Sequence, residues 1–303
     1  MTRQRIGIIG AGLMGHGIAQ AFAAAGHPVD IQEPDPGRRA GILDRIRRNL
    51  EELGQDAGAA DRIRPQATLE DTVGQADVVI EAVPEDLALK QRIFAAAEAA
   101  APSHALLASN TSVIPIGRVM EAVRDRTRAM GAHWWNPPYL IPLVEVIQTP
   151  DTADAAISAM MELLASIGKM PVHVRKDVPG FIGNRLQHAL WREAIALVES
   201  GVCDARTVDT VVKASFGRRL AVLGPLENAD LVGTDLTLAV HEHVLPDLDR
   251  NPGPSALLRE LVASGRLGMK TGAGFRSWTE AERAEVHSRL AAHLRRLDAP
   301  EHG

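Results

Sequence analysis

The chain is short of cysteine, of aromatic residues and of long apolar runs, and each shortage closes off a class of protein. One cysteine, Cys203, among 303 residues excludes an intramolecular disulfide and any multi-cysteine metal site, so no metal centre is expected and a reducing compartment, the cytoplasm, is. No apolar run approaches the roughly 20 residues that a membrane-crossing helix needs, and the first strand pattern starts so near Met1 that no signal peptide is expected. The formal net charge of -5, with a pI near 6.1, offers no broad basic surface for nucleic acid or an anionic membrane, which leaves small molecules as the expected partners. Aromatics make up 3% of the chain, with four Trp and one Tyr. The gathering of Trp134, Trp135 and Tyr139 in one loop is therefore unusual.

What is present begins with a strand, a glycine-rich turn and a helix. Ile6-Gly7-Ile8-Ile9 runs into Gly10-Ala11-Gly12-Leu13-Met14-Gly15 and then into an apolar helical stretch through Ile18, Ala19, Phe22 and Ala23. Gly10 allows the tight turn, Gly12 lets backbone approach a pyrophosphate, and Gly15 lets helix and strand pack closely. A second short strand, Val29 to Gln32, ends at Glu33, whose carboxylate can bind the adenosine ribose hydroxyls and disfavours a 2'-phosphate. NAD is thus the expected cofactor, with Arg38 and Arg39 leaving NADP open. An arginine-rich amphipathic helix is expected over 36–53, its charges forming a solvated face.

Further strands are expected at 76–83, 106–108, 128–133, 143–147 and 170–174, with helices at 87–99 and 153–167 between them. Chemistry-bearing side chains follow their ends. Glu85, with Lys90 beyond it, lies past one strand and is read either as a ligand-side carboxylate or as a complement to a helix N-terminus. Ser109-Asn110-Thr111-Ser112 follows the next, as a substrate-holding loop or as a helix cap. His133 precedes a loop stiffened by Pro137, Pro138 and Pro142, and Glu145 sits inside Leu-Val-Glu-Val-Ile. If that loop folds back, Glu145 orients His133 as a general base; otherwise His133 is an ordinary half-buried histidine and Glu145 faces solvent. Trp134, Trp135 and Tyr139 are read either as lining a substrate pocket or as pinning the loop.

From about 179 the pattern becomes helical throughout, at 182–200, 204–216, 228–243, 255–264 and 279–297. The expectation is an α/β protein: a doubly wound Rossmann domain over 1–178, then an all-α domain over 179–303.

Six ordered motifs carry a resemblance. They are GxGxxG, Ser-Asn-Thr-Ser, His-x-x-Asn-Pro, Leu-Val-Glu-Val-Ile, Asp-Val-Pro-Gly-Phe-Ile-x-Asn-Arg and Lys-Thr-Gly-x-Gly-Phe. In that order, from Arg5 to about Trp278, the chain resembles the L-3-hydroxyacyl-CoA dehydrogenase family. The resemblance implies an NAD-dependent enzyme that interconverts a 3-hydroxyacyl compound and its 3-keto form, and a homodimer built through the helical domain. It implies His133 as the base, Glu145 as its orienting carboxylate, and Ser112 and Asn184 as hydrogen-bonding partners of the substrate. It implies that Glu85, Lys90, Asn136 and Lys270 lie near the cofactor. The segment after the second strand is shorter than in members acting on CoA thioesters and ends in Glu51, Glu52 and Asp56. The Pro138 to Pro142 loop is similar to relatives acting on free hydroxy acids or alcohols, such as gulonate 3-dehydrogenase, carnitine dehydrogenase and a pyridine-carboxylate dehydrogenase.

Overall fold

The computed structural model describes residues 3–298. Eight short strands form one sheet: β1 (Ile6–Ile9), β2 (Val29–Gln32), β3 (Ile63–Gln66), β4 (Val78–Glu81), β5 (Leu106–Ser109), β6 (Ala129–Trp134), β7 (Leu143–Ile147) and β8 (Met170–Val174), in the order β3-β2-β1-β4-β5-β6-β7-β8. The run from β3 to β6 is parallel, β7 turns back antiparallel to β6, and β8 is parallel to β7. The order reverses between β1 and β4, which is where a doubly wound sheet opens a ligand crevice. β3 is an addition to the expected strands. Ile63-Arg64-Pro65-Gln66 has one buried apolar residue and a proline, a pattern tolerated only on an edge, and its pairing with β2 is what makes it a strand.

Seven helices cover this sheet: α1 (Leu13–Ala24), α2 (Pro36–Ala40), α3 (Ile42–Glu52), α4 (Leu69–Val73), α5 (Leu87–Ala100), α6 (Ile116–Val119) and α7 (Asp154–Ser166). Because strand side chains alternate, Ile6, Ile8, Val78 and Ile80 point into one apolar layer with Phe22, Ile46 and Met160, while Ile9, Val79 and Leu107 enter the other with Phe94, Val119 and Met120. The helix expected over 36–53 is divided at Gly41, which ends α2 and starts α3. Ile42, Ile46 and Leu50 form the buried stripe of α3, and Arg47 on its open side pairs with Asp44 and Asp61.

The remaining helices are α8 (Gly183–Glu199), α9 (Ala205–Ala214), α10 (Pro225–Val232), α11 (Thr234–Val244), α12 (Ala256–Ala263) and α13 (Glu280–Asp298). The single helix expected over 228–243 is two, because Gly233 between α10 and α11 adopts a φ of 101°, a left-handed conformation that interrupts a helix. The chain divides into two compact units. One runs to Arg185 and includes the C-terminal residues from His293; the other is Leu186–Ala292.

Candidate active site

The glycine turn is built for close approach. Gly10 has a φ of 98°, and a Cβ there would lie 2.9 Å from the Ala82 carbonyl oxygen of the neighbouring β4 end. A Cβ on Gly15 would collide with the Gly10 carbonyl, whereas one on Gly12 would meet nothing within 4 Å. Helix and strand are thus in contact behind the turn, while open space lies in front of Gly12 at the α1 N-terminus, where an anionic pyrophosphate is favoured. His16, a buried residue to which the sequence reading assigned nothing, places Nδ1 2.7 Å from the Gly12 carbonyl oxygen. Burial, opposed by that hydrogen bond and aided by the nearby Arg45 charge, holds its pKa below the ordinary 6.5. A neutral imidazole therefore braces the turn.

Glu33 follows the end of β2, as the motif requires. One of its carboxylate oxygens accepts from the Asp35 amide at 3.1 Å. Arg39 folds back onto the carbonyls of Glu33 and Pro34. Asp35 caps α2 by accepting from the Arg38 amide.

His133 and Glu145 are opposite one another in the antiparallel β6–β7 ladder. The proline loop does fold back, and cross-strand pairing converts a separation of twelve residues into a hydrogen bond: His133 Nδ1 lies 2.8 Å from Glu145 Oε2, with both groups buried. The other carboxylate oxygen accepts from the backbone amides of Ile182 and Gly183 at 2.9 and 3.0 Å, at the start of α8, where unpaired amides attract an anion. Burial alone would raise the Glu145 pKa, but the bonds from His133, Gly183 and Ile182 together outweigh it and hold the carboxyl below its ordinary 4.5. With Nδ1 engaged, Nε2 is the nitrogen available for chemistry.

The loop after β5 is held from two sides. Glu85 accepts from the Thr111 hydroxyl at 2.8 Å and from the Ser112 amide at 2.6 Å, while Asn184 Nδ2 donates to the Ser112 carbonyl at 2.9 Å. Ser112 is not a helix cap. Thr111 instead accepts from the Ile114 amide, and Asp86 rather than Glu85 caps α5, accepting from the Leu89 amide. Among the described residues no hydrogen bond uses the Ser112 hydroxyl. Lys90 is only 1% exposed, and its ammonium is directed to Glu81, to the Val83 carbonyl and to Glu85. It lies beneath the loop, not along an open surface.

The three aromatics divide. Trp134, the last residue of β6, points into the core, 1% exposed and 5.7 Å from the Phe22 ring centroid, so it is a core residue and not part of a substrate wall. The next side chain falls on the other side of the strand direction. Trp135 and Phe181 flank the His133 ring at centroid distances of 5.3 and 5.6 Å. A Cβ on Gly183 would occupy the place of the Trp135 six-membered ring, so this indole requires that glycine. Tyr139 and Pro138 close over Gly17 of α1, and Lys169 Nζ donates to the Pro138 and Ile141 carbonyls at 2.7 and 3.0 Å. The loop is thus pinned at both ends, with Asn136 exposed on it.

Residues 5–178 match the model of the 3-hydroxyacyl-CoA dehydrogenase NAD binding domain, and residues 180–278 match that of the 3-hydroxyacyl-CoA dehydrogenase C-terminal domain. The chain belongs to the 3-hydroxyacyl-CoA dehydrogenase family. It is an NAD-dependent oxidoreductase acting on CH–OH groups. Similar proteins include the 5-formyl-3-hydroxy-2-methylpyridine 4-carboxylate 5-dehydrogenase of Mesorhizobium japonicum, 35% identical over 98% of this chain and 99% of that one. A probable 3-hydroxybutyryl-CoA dehydrogenase of Bacillus subtilis is 35% identical over 92% and 99%. Among solved structures, that of a 5-formyl-3-hydroxy-2-methylpyridine 4-carboxylic acid 5-dehydrogenase, an NAD+-dependent dismutase, superimposes with a TM-score of 0.90, at 32% identity over 98% of each chain.

In the α/β unit hydrogen bonds thus bring together His133, Glu145, Ser112, Asn184 and Glu85, residues far apart in the sequence. Lys270 lies in the other unit, in the glycine-rich turn that also carries the Gly268–Ala273 bridge. Two contributors escaped the reading of the sequence. Glu81 looked like one more strand residue, although a carboxylate inside Val-Val-Ile-Glu is the same signal that drew attention to Glu145. Gly183 carried no signal, because its role is visible only once Trp135 is seen to rest on it.

Proposed function

We propose that this chain interconverts a 3-hydroxyacyl compound and its 3-keto form with His133 as the acid–base group. The buried His133–Glu145 pair, at 2.8 Å, carries this reading, since a binder has no need of an oriented imidazole. In the oxidising direction His133 Nε2 takes the proton of the substrate hydroxyl, and Glu145 stabilises the imidazolium that results. Bound NAD supplies the acceptor for the hydride that leaves the same carbon. Ser112 and Asn184 hold the substrate oxygen, where charge changes during transfer. Gly10 to Gly15, through Ala11, Leu13 and Met14, cradle the cofactor; Glu33 takes its ribose hydroxyls; Glu85, Lys90, Asn136 and Lys270 contribute further contacts. Replacing His133 by Gln is expected to keep NADH affinity and to remove at least about two decades of turnover, the usual scale for losing an acid–base group. Unchanged turnover would remove the base assignment.

A second reading, the same chemistry on a hydroxy acid or alcohol without CoA, is favoured by the acidic end of α3. Burial, and next the Glu52 charge, raise the Tyr139 pKa against the lowering effect of Arg295, which pairs with Glu52 at 3.6 Å, so a carboxylate of this end borders the loop beside the base. Following NADH absorbance with acetoacetyl-CoA, free acetoacetate, carnitine and gulonate in parallel separates the two readings. Turnover of the thioester alone supports the first; turnover of free acids or alcohols alone supports the second.

The helical unit is assigned to homodimerisation. Among the described residues Leu261 is the one fully buried apolar side chain in Leu186–Ala292, and α10 and α11, which bury nothing, pack chiefly against each other. A cavity of about 660 Å³ in the same unit is walled by Trp191, Ile195, Val198, Leu258, Phe275 and Trp278, with Arg266, Lys270 and Arg276 beside it. Residues 220–249, which contain α10 and α11, hold no Lys or Arg but carry Glu227, Asp230, Asp235 and Glu242. An acidic apolar arm and a basic-rimmed apolar cavity suit exchange between two copies. The single cysteine supports a cytoplasmic location. No helix among the described residues is long and apolar enough to cross a membrane.

A further inference from the structure

The turn from Gly180 to Gly183 touches the base pair more than once. Gly180 and Phe181, just before α8, have φ values of 75° and 50°. Glycine adopts such a backbone freely. Phe181 is the one residue other than glycine with a positive φ among the described residues, and a bulky side chain holds that conformation only where its surroundings over-determine it. Here they do. The Phe181 side chain is 1% exposed and its ring lies 5.6 Å from the His133 ring centroid. The two amides that follow, of Ile182 and Gly183, both donate to Glu145 Oε1. The segment is tied on either side as well: Asp177 accepts from the Ile116 and Gly117 amides at 2.9 and 2.8 Å, and Asn184 donates to the Ser112 carbonyl.

A further contact depends on what Gly183 lacks. His133 and Trp135 are two residues apart, so strand alternation puts their side chains on one side, and their rings lie 5.3 Å apart with planes inclined by 53°. A Cβ on Gly183 would collide with Trp135 Cζ2. The indole Nε1 is buried with no hydrogen-bond partner among the described residues, so contact alone seats the indole, on Gly183 and beside the imidazole. The bond from Nδ1 to Glu145 fixes where that nitrogen sits but leaves the imidazole free to tilt about it, and a tilt carries Nε2 off the line to a substrate proton. Two aromatic rings packed on the imidazole restrict that freedom.

We propose that Trp135 and Phe181 are positioning residues for His133, with Gly183 setting the place of the indole, so that Nε2 keeps one direction. The proposal rests on the assignment of His133 as the base. Alanine at 183 keeps both backbone amides that bond Glu145 and still displaces Trp135, which separates the seating of the indole from the holding of the carboxylate.

The test reads the imidazole directly. In the full chain labelled with 15N-histidine, the His133 Nδ1 proton, bonded to a buried carboxylate, gives a downfield proton resonance that His133→Gln identifies by removing it. Gly183→Ala is expected to shift or broaden this resonance and to lower kcat at least about tenfold, with KM and NADH affinity within about threefold of the parent. Acetoacetyl-CoA and free acetoacetate serve as substrates, whichever turns over. Trp135→Leu should by itself move the resonance and lower kcat at least about fivefold; adding Gly183→Ala to it should then change kcat less than about twofold, because no indole is left to strike. Phe181→Leu, which keeps an apolar side chain without the ring, should also move the resonance. Trp135→Leu and Phe181→Leu carry the test should Gly183→Ala not fold. An unmoved resonance in any of the three would overturn the proposal. So would an equal cost of Gly183→Ala with and without the indole, which would make the glycine act through the start of α8, or a raised KM at parent kcat in Trp135→Leu, which would make the indole a substrate contact. The resonance needs no turnover. Full turnover in His133→Gln therefore removes the base assignment, whereas an unmoved resonance removes the positioning, and the two failures are read apart.

Discussion

In the α/β unit both faces of the sheet are covered by apolar layers, within which Glu81, Lys90 and Ser109 are bonded to one another, as are His133 and Glu145. In the helical unit the proportions invert. Leu226, Leu231 and Leu238 are 80, 70 and 61% exposed, and the apolar lining of the cavity faces open space. A unit of about a hundred residues ordinarily buries a core of its own. The contrast teaches that one unit buries its apolar side chains within a single chain while the other leaves its apolar side chains exposed, and the two should respond differently to substitution.

The largest response is expected in the α/β unit. Glu81→Ala leaves the Lys90 ammonium buried with only a half-exposed carboxylate 3.5 Å away, and breaking a buried pair on one side costs about 3–5 kcal/mol. Urea unfolding followed by far-ultraviolet dichroism measures this; a loss below about 1 kcal/mol would mean that the pair is not sealed.

In the helical unit the matching change is Leu231→Asp. In a monomer a side chain this exposed would be replaced at a cost within about 0.5 kcal/mol. In a homodimer that seats α10 and α11 on a second copy, the same change places a carboxylate in two apolar contacts at once, and dimer affinity should fall at least about a hundredfold. Sedimentation across a dilution series distinguishes the two, and a parent protein that is monomeric at every concentration would remove the dimer.

How far the sequence foretold these features follows the same division. The β1 turn, Glu33 and the His133 strand were readable because each rests on local pattern: glycine spacing, an acid at a strand end, a polar residue inside an apolar run. The split of the expected 228–243 helix was not, since Asn-Ala-Asp-Leu-Val-Gly-Thr-Asp-Leu keeps helical periodicity through Gly233 and only the backbone reveals the break. β3 was missed for the opposite reason, because an edge strand owes its existence to a neighbour. Trp134 and Trp135 could not be separated by composition. Strand alternation sends one into the core and sets the other against His133, and that depends on where β6 ends.

Glu33→Ala sharpens the comparison from the cofactor side, for it should change the α/β unit alone. A hydrogen bond to a charged acceptor is worth about 1.5–3 kcal/mol, so NAD affinity should fall roughly tenfold or more, with NADP far less affected and the oligomeric state unchanged. Equal losses for both cofactors would show that the carboxylate does not read the ribose.

The smallest effect concerns pH, and its sign follows from Glu145. Its folded pKa is held below the ordinary 4.5, so the folded state resists protonation more than the unfolded chain does. The resulting stability is fully present above 4.5 and is lost as pH falls through the lower, folded value. His16, also depressed in the folded state, adds a loss of the same sign that begins higher, as pH drops below 6.5. Glu145→Gln should therefore flatten the stability profile below pH 4.5 and leave the part near pH 6 intact, whereas His16→Gln should do the reverse. Urea midpoints taken from pH 7 to pH 3 read both slopes. Because both groups belong to the α/β unit, neither slope should depend on protein concentration; a concentration-dependent slope would place the acid-sensitive step at the contact between copies and break the division from which the comparison began.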